Sequence, residues 1–331
     1  RRHLRRCGID FELKKEDCMA GGSAVQMGVG MISSTVLQTL ENYVPRENIL
    51  LQEPMSRHTT FRIGGEADCF VEIENAEQLI HLRRYLQMVE LPCMVLGNGS
   101  NLLVSDRGYR GVVLHVGPRM QQIRVQGDRM VVQAGALMSQ VAAAACEQGL
   151  TGLEFASGIP GTLGGGAIMN AGAYGGEISQ VAAQVKVVDR EGNLLELDNA
   201  TMEFGYRTSA IKQQPFTVVE VTLQLAFGER ESIQGRMEEL AARRREKQPL
   251  EYPSAGSAFK RPPGHFAGKL IDDAGLRGFR IGEAQVSEKH CGFVINRGNA
   301  TEAQVTELCR EVRRRVKEQF GVELELEVKK L

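Results

Sequence analysis

The sequence predicts an α+β fold built mainly from short strands. Stretches with strand-like alternation outnumber the helical patterns, as is typical of that class. Two glycine-rich segments, 97–102 and 157–176, are both flanked by strand-like sequence. A polar helix over about 229–247 ends before Pro249 and indicates a boundary between units. With 331 residues, 42% of them hydrophobic, the chain is long enough for two or three domains.

The N-terminal part predicts a helix that opens at Met31, followed by a small β-α-β unit over roughly 58–95. The unit's helix starts after Asn75, which can cap it, and has Gln78 at its third position. Its apolar face is formed by Leu79, Leu82, Leu86 and Val89. The strands of the unit are Cys69–Ile73 and Cys93–Leu96.

The rest of the chain alternates strands with a few helices. The predicted strands are Val112–Val116, Ile123–Val125, Met130–Ala134, Val185–Val188, Leu194–Leu197, Phe216–Leu225 and Glu323–Lys329. The predicted helices are Met138–Gln148, 229–247, Ala267–Ala274 and Thr301–Phe320. In the last helix Thr301 and Gln304 form a capping-box pattern.

Composition excludes several classes of protein. The net charge of −1 argues against a general nucleic-acid-binding surface. No apolar run approaches the roughly 20 residues that span a bilayer. The seven cysteines are scattered without a C-x-x-C motif, so we expect reduced thiols in a cytoplasmic protein.

Residues 1–30 show no clear period. They begin with a basic run, Arg1-Arg2-His3-Leu4-Arg5-Arg6, but the acidic residues that follow are unlike a transit peptide. We expect this segment to be a disordered extension or the product of a misplaced start site.

The segment 157–176 contains eight glycines, which predicts a backbone that turns through positive φ and forms an anion site. A diphosphate-bearing cofactor fits such a site. The segment is not a phosphate loop, because Gly161–Gly166 continues into Ala167-Ile168. The segment 97–102 is not a dinucleotide fingerprint, because Leu102 replaces the third glycine. We therefore expect two loops between strands and no Rossmann domain.

Seven motifs, taken together and in order, resemble the MurB family of UDP-N-acetylenolpyruvoylglucosamine reductases. The resemblance covers roughly residues 33–331. The motifs are T-T-F-R-I-G-G at 59–65, L-G-N-G-S-N-L-L at 96–103, the segment 158–176, G-Y-R at 205–207, A-G-S-A-F-K at 255–260, A-Q-V-S-E-K-H at 284–290 and L-E-L-E-V at 324–328.

The resemblance implies an FAD-binding domain of the PCMH/vanillyl-alcohol-oxidase type in two α+β subdomains, plus a C-terminal α+β substrate domain. We expect the first subdomain at 31–95, joined by the C-terminal strand 323–331. The second would span 96–228, and the substrate-binding domain 229–322. The compact interval from Arg207 to Ser257 resembles the subclass that lacks an inserted tyrosine-bearing loop.

The family resemblance also implies the reaction. Such an enzyme reduces the enolpyruvyl ether of UDP-N-acetylglucosamine to UDP-N-acetylmuramate for peptidoglycan synthesis, with NADPH as hydride source and FAD as carrier. Arg207 would stabilise the negative charge that spreads into the substrate carboxylate, since a guanidinium is a planar, permanent cation. Ser257 would donate the proton to the α-carbon. Glu327 would orient the substrate or share a proton, and a raised pKa would be consistent with that.

The same resemblance assigns the binding residues. FAD would contact Gly97, Asn98, Gly99, Ser100, Asn101 and Leu102 around its diphosphate, and Gly158, Ile159, Gly161, Thr162 and Gly165 along the ribityl and adenosine side. The uridine diphosphate of the substrate would contact Tyr174, Lys260 and Gln285. We expect no metal, no nucleic-acid or membrane partner, and a monomer.

Taken singly, these residues have plainer interpretations. Arg207 would be a salt-bridged surface residue, Ser257 a turn residue and Glu327 the solvated face of an edge strand. His290 is best read as locally hydrogen-bonded, and Arg243–Arg245 as a solvated helix face. Two functional alternatives stay open: another FAD-dependent oxidoreductase of this cofactor-domain type acting on a hydroxy acid, or a catalytically inactive flavin-binding module.

Overall fold

The computed structural model describes residues 32–331, so the predicted extension at 1–30 and Met31 lie outside the described residues. In that range the helices are α1 (Ser34–Glu41), α2 (Ala76–Met88), α3 (Met138–Glu147), α4 (Leu163–Met169), α5 (Arg230–Lys247), α6 (Ala267–Asp273) and α7 (Glu302–Phe320). The strands are β1 (Ile49–Pro54), β2 (Glu66–Glu72), β3 (Cys93–Leu96), β4 (Leu102–Leu103), β5 (Tyr109–His115), β6 (Ile123–Gln126), β7 (Arg129–Gln133), β8 (Leu150–Thr151), β9 (Gly172–Ala173), β10 (Gly176–Glu177), β11 (Ala182–Val188), β12 (Leu194–Asp198), β13 (Thr217–Gln224), β14 (Ala226–Phe227), β15 (Ser254–Ser257), β16 (Arg280–Ile281), β17 (Ala284–Val286), β18 (Phe293–Asn296) and β19 (Lys329–Lys330).

The first sheet has the strand order β1-β2-β5-β3, in which β2, β5 and β3 are parallel. Helix α2 connects β2 to β3 and confirms the predicted β-α-β unit. It is capped as expected, because Asn75 Oδ1 accepts a hydrogen bond of 2.9 Å from the amide of Gln78. Val89 does not join the buried face, since the helix ends there and its side chain is 39% exposed. The sheet extends beyond the predicted boundary at residue 95, because β5 is one of its inner strands.

The second sheet is antiparallel throughout, with the order β12-β11-β13-β7-β6. Helix α4 packs against its strands β13 and β7, and α3 packs in turn against α4 and β8. One cluster of buried apolar side chains runs from Leu40 to Leu225 and includes residues of both sheets. The two sheets therefore share a hydrophobic core, which fixes the glycine-rich segments that lie between them.

The third sheet, β15-β18-β17-β16, is antiparallel and packs with α6 and α7 around a second core. Helix α7 begins with the predicted capping box between Thr301 and Gln304. The prediction of a strand over Glu323–Lys329 is wrong for most of its length. That segment pairs first with residues 258–260 through one isolated bridge, between Phe259 and Leu326, and then, as β19, with β4. It changes partner midway because it runs from the unit of the third sheet, next to β15, to strand β4 after the first glycine-rich segment.

The prediction that 157–176 is a loop throughout is wrong, because α4 lies within it. Of its eight glycines only Gly161 and Gly175 have positive φ. Gly164 serves close packing instead, since a Cβ there would lie 2.8 Å from the Cβ of Ala134. The predicted loop at 97–102 is confirmed, and it joins β3 to β4.

Candidate active site

The two glycine-rich segments meet each other closely. A Cβ on Gly97 would lie 2.6 Å from Oγ1 of Thr162, and a Cβ on Gly99 would lie 2.1 Å from the carbonyl oxygen of His58. Gly99 also has a φ of +58°. Larger residues at these positions would push the segments apart. Thr162 caps α4 through a hydrogen bond of 3.4 Å from the amide of Gly165.

A cavity of about 350 Å³ lies between these segments, and we call it the glycine-walled cavity. Its walls include all of the predicted residues from the first loop and four from the second. These are Gly97, Asn98, Gly99, Ser100, Asn101, Leu102, Ile159, Gly161, Thr162 and Gly165. Gly158 does not line it, since a Cβ there would lie 3.0 Å from Cδ of Arg244.

The sequence does not predict two further residues of this wall, Arg244 and Gln248. Arg244 was expected on a solvated helix face, yet its guanidinium has no ion pair among residues 32–331, and burial lowers its pKa. Oε1 of Gln248 is buried without a hydrogen-bond partner in the same range. A free cation and a free acceptor that face a cavity between glycine-walled segments fit a diphosphate-bearing cofactor such as FAD.

Arg207 reaches this cavity from a tight turn. Its φ of +54° is a left-handed conformation that costs a non-glycine residue free energy. Two side chains hold the turn: Nδ2 of Asn170 donates to the carbonyl of Gly205 at 3.1 Å, and Nζ of Lys212 donates to the carbonyl of Arg207 at 2.7 Å. The guanidinium is therefore positioned by contacts from outside its own turn.

Arg207 and Glu327 form an ion pair. Nε of Arg207 lies 2.8 Å from Oε1 of Glu327, although the angle is poor for a hydrogen bond. Nη1 of Arg207 donates to the carbonyl of Gly172 at 3.1 Å. Nη2 has no partner among residues 32–331, so it can donate a hydrogen bond to a carboxylate oxygen of a ligand.

Glu327 does not lie on a solvated face, unlike its neighbour Glu325, which pairs with Lys260 at the surface. Only 16% of the Glu327 side chain is exposed. Burial raises the pKa of Glu327, while the nearby Arg207 opposes the rise. Its backbone is held on both sides, because its amide donates to the carbonyl of Ala258 and its carbonyl accepts from Nδ2 of Asn101. The carboxyl group can thus hold a proton at a higher pH than an exposed glutamate.

Ser257 ends β15 next to an irregularity in the pairing with β18. Gly256, which precedes it, has a φ of +75°. The hydroxyl of Ser257 makes no hydrogen bond to any residue in 32–331, and it lines the glycine-walled cavity. The kink at Gly256 thus directs Ser257 to the cavity that Arg207 and Glu327 also line.

A second cavity of about 480 Å³, which we call the cationic cavity, adjoins the first. Arg207, Ser257 and Glu327 line both cavities. The remaining charged side chains of its wall are mostly basic: Arg261, Lys269, Arg277 and Lys289, with Asp272 as the further acid. These residues lie on different elements of the chain, so no single local motif in the sequence groups them. Three of these cations already have an acidic partner, since Lys269 pairs with Asp273, Arg277 with Asp272 and, at 4.0 Å, Lys289 with Glu251. Arg261 has no ion pair among residues 32–331, so its guanidinium is left for an anionic group such as a diphosphate.

The three residues expected to contact uridine diphosphate do not line either cavity. Tyr174 is 40% exposed, with a φ of +54°. Lys260 is paired with Glu325. Gln285 is buried, and its Nε2 donates to the carbonyl of Gly278 at 3.0 Å. Their contact with substrate stays a prediction.

His290, at the edge of the cationic cavity, is locally hydrogen-bonded as expected. Its Nδ1 accepts from the amide of Gly292 at 3.1 Å, and burial lowers its pKa. Within residues 32–331 no group of three or more His, Cys, Asp or Glu side chains is arranged to hold a metal ion. None of the helices in that range is long and apolar enough to cross a membrane.

Comparison with known proteins decides the family. Residues 248–331 match the C-terminal domain of UDP-N-acetylenolpyruvoylglucosamine reductase, and residues 67–198 match an FAD-binding domain. The UDP-N-acetylenolpyruvoylglucosamine reductase of Caldanaerobacter subterraneus is 48% identical over 90% of this chain and 98% of its own length. The chain belongs to the UDP-N-acetylenolpyruvoylglucosamine reductase family.

Other members of that family agree with this assignment. The reductase of Syntrophomonas wolfei is 46% identical over 87% of this chain and 96% of its own length. The crystal structure of the reductase from Thermus caldophilus superposes with a TM-score of 0.73 at 37% identity, over 85% of this chain and 97% of the other. The predicted family, the α+β class with an FAD-binding domain, the oxidoreductase activity and the FAD cofactor are confirmed.

Proposed function

We propose that this chain reduces UDP-N-acetylenolpyruvoylglucosamine to UDP-N-acetylmuramate with NADPH, through FAD held in the glycine-walled cavity. The observation that carries the proposal is that Arg207, Ser257 and Glu327 line both cavities at their junction. A reaction between a cofactor in one cavity and a substrate in the other would take place beside these groups. We further propose a monomer that acts in the cytoplasm on this small molecule, without nucleic acid, in peptidoglycan precursor synthesis.

The glycine-walled cavity would hold the cofactor largely through backbone amides of 97–102 and 161–165. Arg244 would neutralise a phosphate, and Gln248 would accept a hydrogen bond with its buried Oε1. When bound, FAD supplies a route for hydride from NADPH to the β-carbon of the enol ether. Gly158 would not contact the cofactor itself. It would act through Arg244, because the absence of a Cβ at Gly158 leaves room for the Arg244 side chain.

Arg207 would bind the substrate carboxylate. Addition of hydride to the β-carbon leaves negative charge at the α-carbon and on that carboxylate. Nε and Nη1 of Arg207 are already fixed by Glu327 and Gly172, so Nη2 points to a defined place. A guanidinium that is positioned before the reaction stabilises developing charge without reorganising, which is the efficient arrangement in a site shielded from water.

Ser257 would donate the proton that completes the lactyl ether. Its hydroxyl makes no hydrogen bond within residues 32–331, so no protein acceptor has to be given up on transfer. A serine is a weak acid, but the enolate is a strong base, and a well-placed acid contributes about 10²–10⁴-fold to the rate. Glu327 would keep Arg207 in place, and its raised pKa would let it share a proton with the substrate carboxylate.

The cationic cavity would take the nucleotide half of the substrate. Arg261, Lys269, Arg277 and Lys289 line it from several elements. Arg261 has no acidic partner within residues 32–331, whereas the other three would have to loosen their pairs with Asp273, Asp272 and Glu251 to contact a phosphate. A uridine diphosphate carries the complementary charge. Tyr174, Lys260 and Gln285 stay proposed contacts, which they could make only if the third unit moved or their side chains rearranged.

Steady-state oxidation of NADPH by the purified yellow holoenzyme tests this function. We expect NADPH to be oxidised only when the enolpyruvyl nucleotide is present, with one lactyl product formed per NADPH. Turnover of a hydroxy acid in place of the nucleotide would favour the oxidase alternative. A yellow protein that turns over neither would be an inactive flavin-binding module, and a colourless protein would contradict the cofactor assignment.

A further inference from the structure

A third cavity, of about 230 Å³, lies behind the site and shares the backbone of Ala255 and Gly256 with the glycine-walled cavity. It is enclosed by α7, β15, β18, β4 and the C-terminal segment. We call it the apolar cavity. Its wall is apolar apart from Thr306 and Cys309 of α7, and Arg310, Arg313 and Lys330 stand at its mouth.

The interior of the apolar cavity has almost no free polar group to which a water molecule could hydrogen-bond. The hydroxyl of Thr306 is already used, since it donates to Oε1 of Glu302 at 2.5 Å. Burial raises the pKa of the Cys309 thiol to about 12, so this group stays neutral. A water molecule needs two to four polar partners to be stable in a cavity, and this wall does not supply them. The space is therefore suited to an apolar guest.

The charges at the mouth favour a neutral guest over an anion. Arg310 pairs with Glu307 at 2.6 Å, Lys330 pairs with Glu302 at 2.6 Å, and Arg313 lies 3.6 Å from Glu323. Each of these cations lies near an acid, although Glu323 also pairs with Lys317 at 3.4 Å, so little positive charge is left for a carboxylate or phosphate. The size fits one or two rings, because a dry apolar cavity of about 150 Å³ already holds benzene.

The apolar cavity shares its wall with the residues of the proposed reaction. Gly256 immediately precedes Ser257, while Leu326 and Val328 flank Glu327. A guest that fills the cavity therefore packs against the backbone that sets the position of both side chains. An empty cavity leaves that backbone with fewer contacts on one side.

We propose that the apolar cavity is a second ligand site for a neutral, compact, one- or two-ring apolar molecule, and that its occupancy adjusts the placement of Ser257 and Glu327. The first half of the proposal stands on the cavity alone. The second half rests on the proposed function. The direction of the rate change depends on whether the occupied or the empty cavity holds the two groups better.

Indole is the probe, and calorimetry with the FAD-loaded enzyme is the measurement. We expect a dissociation constant on the order of 0.1–1 mM, from the binding free energy per atom of small ligands. Cys309→Met places a longer side chain into the cavity and should weaken binding by roughly tenfold or more. Cys146→Met is the matched control, because Cys146 is a buried helix residue away from the cavity, 7% exposed against 6% for Cys309. It should bind indole as the wild type does.

Two outcomes would overturn the proposed binding site: no detectable binding of indole by the wild type at any temperature tried, up to the solubility of indole, or equal binding by wild type and Cys309→Met. If Cys309→Met does not fold, Thr306→Leu narrows the cavity from the same helix and should weaken binding similarly.

The effect of occupying the apolar cavity on the reaction is measured separately, as the rate at which the enolpyruvyl nucleotide reoxidises the reduced flavin. We call this effect the coupling. Saturating indole should change that rate about fivefold, the lower end of ordinary coupling, in wild type and Cys146→Met but not in Cys309→Met. Binding with an unchanged rate refutes the coupling alone. If the nucleotide fails to reoxidise the flavin even without indole, the proposed function and the coupling are both wrong, while the calorimetric result still stands.

Discussion

Replacing Arg207 by lysine tests how the site stabilises charge. The guanidinium has three uses: Nε faces Glu327 at 2.8 Å, Nη1 donates to Gly172 at 3.1 Å, and Nη2 is left for the substrate. A lysine ammonium keeps the charge but lacks the planar fork, so it cannot satisfy all three directions. At least one charge-assisted hydrogen bond is lost, which is worth about 1.5–3 kcal/mol. The corresponding loss in rate is roughly 10- to 150-fold.

The assay is anaerobic mixing of the chemically reduced holoenzyme with the enolpyruvyl nucleotide, followed by the return of oxidised flavin absorbance. Arg243→Lys is the control, since Arg243 lies on the exposed side of α5 and pairs with Glu239. It should react at the wild-type rate. Reoxidation of Arg207→Lys within threefold of wild type would refute the assigned role. So would an equal loss in the Arg243→Lys control, because that would show a general effect on the fold.

Three further predictions concern the same site and its support. Ser257→Ala should leave flavin reduction by NADPH nearly intact while slowing reoxidation by the nucleotide by about 10²–10⁴-fold; equal losses in both half-reactions would exclude a proton donor. Glu327 has its pKa raised by burial above the ordinary 4.5, so the folded protein holds this proton more tightly than the unfolded chain, and stability should fall as the pH rises from 4.5 through the raised pKa. Urea unfolding should show that Glu327→Gln removes this fall, and an identical pH profile in both proteins would contradict the assigned burial. Gly164→Ala should destabilise by about 1–3 kcal/mol, because the added Cβ would lie 2.8 Å from Ala134. Gly235→Ala, on a helix position with nothing within 4 Å, should instead stabilise by about 1 kcal/mol, and equal effects of the two would show that helix propensity alone decides.

Elements with local signals could be predicted from the sequence. The caps at Asn75 and Thr301 are set by residues three positions apart, so the helices that follow them begin where the pattern indicates. The strands of the second sheet show clear alternation and were found within a few residues of their bounds.

Elements that depend on distant contacts could not be predicted. Helix α4 contains three consecutive glycines, which disfavour helix formation, and it is anchored by tertiary hydrogen bonds. The amide of Gly164 donates to the carbonyl of Ala134 at 2.9 Å, and that of Leu163 to the carbonyl of Ala136 at 2.8 Å. Similarly, residues 323–328 alternate like a strand but pair with two partners in turn.

The residues of the site likewise fall into those that the sequence predicts and those that only the fold brings together. Arg207, Ser257 and Glu327 stand in motifs that resemble a known family, and the structure brings them together at one junction. Arg244 belongs to a helix whose polar sequence looks solvated throughout, and nothing local shows that its side chain faces a cavity. The basic residues of the cationic cavity come from separate elements, so only the fold could assemble them.

A crystal structure of the oxidised holoenzyme with the enolpyruvyl nucleotide tests the central claim most directly. The account predicts the flavin between segments 97–102 and 158–165, the diphosphate of the nucleotide among Arg261, Lys269, Arg277 and Lys289, and the enolpyruvyl group beside Arg207 and Ser257. A nucleotide bound outside the cationic cavity, or a flavin ring far from Ser257, would contradict it.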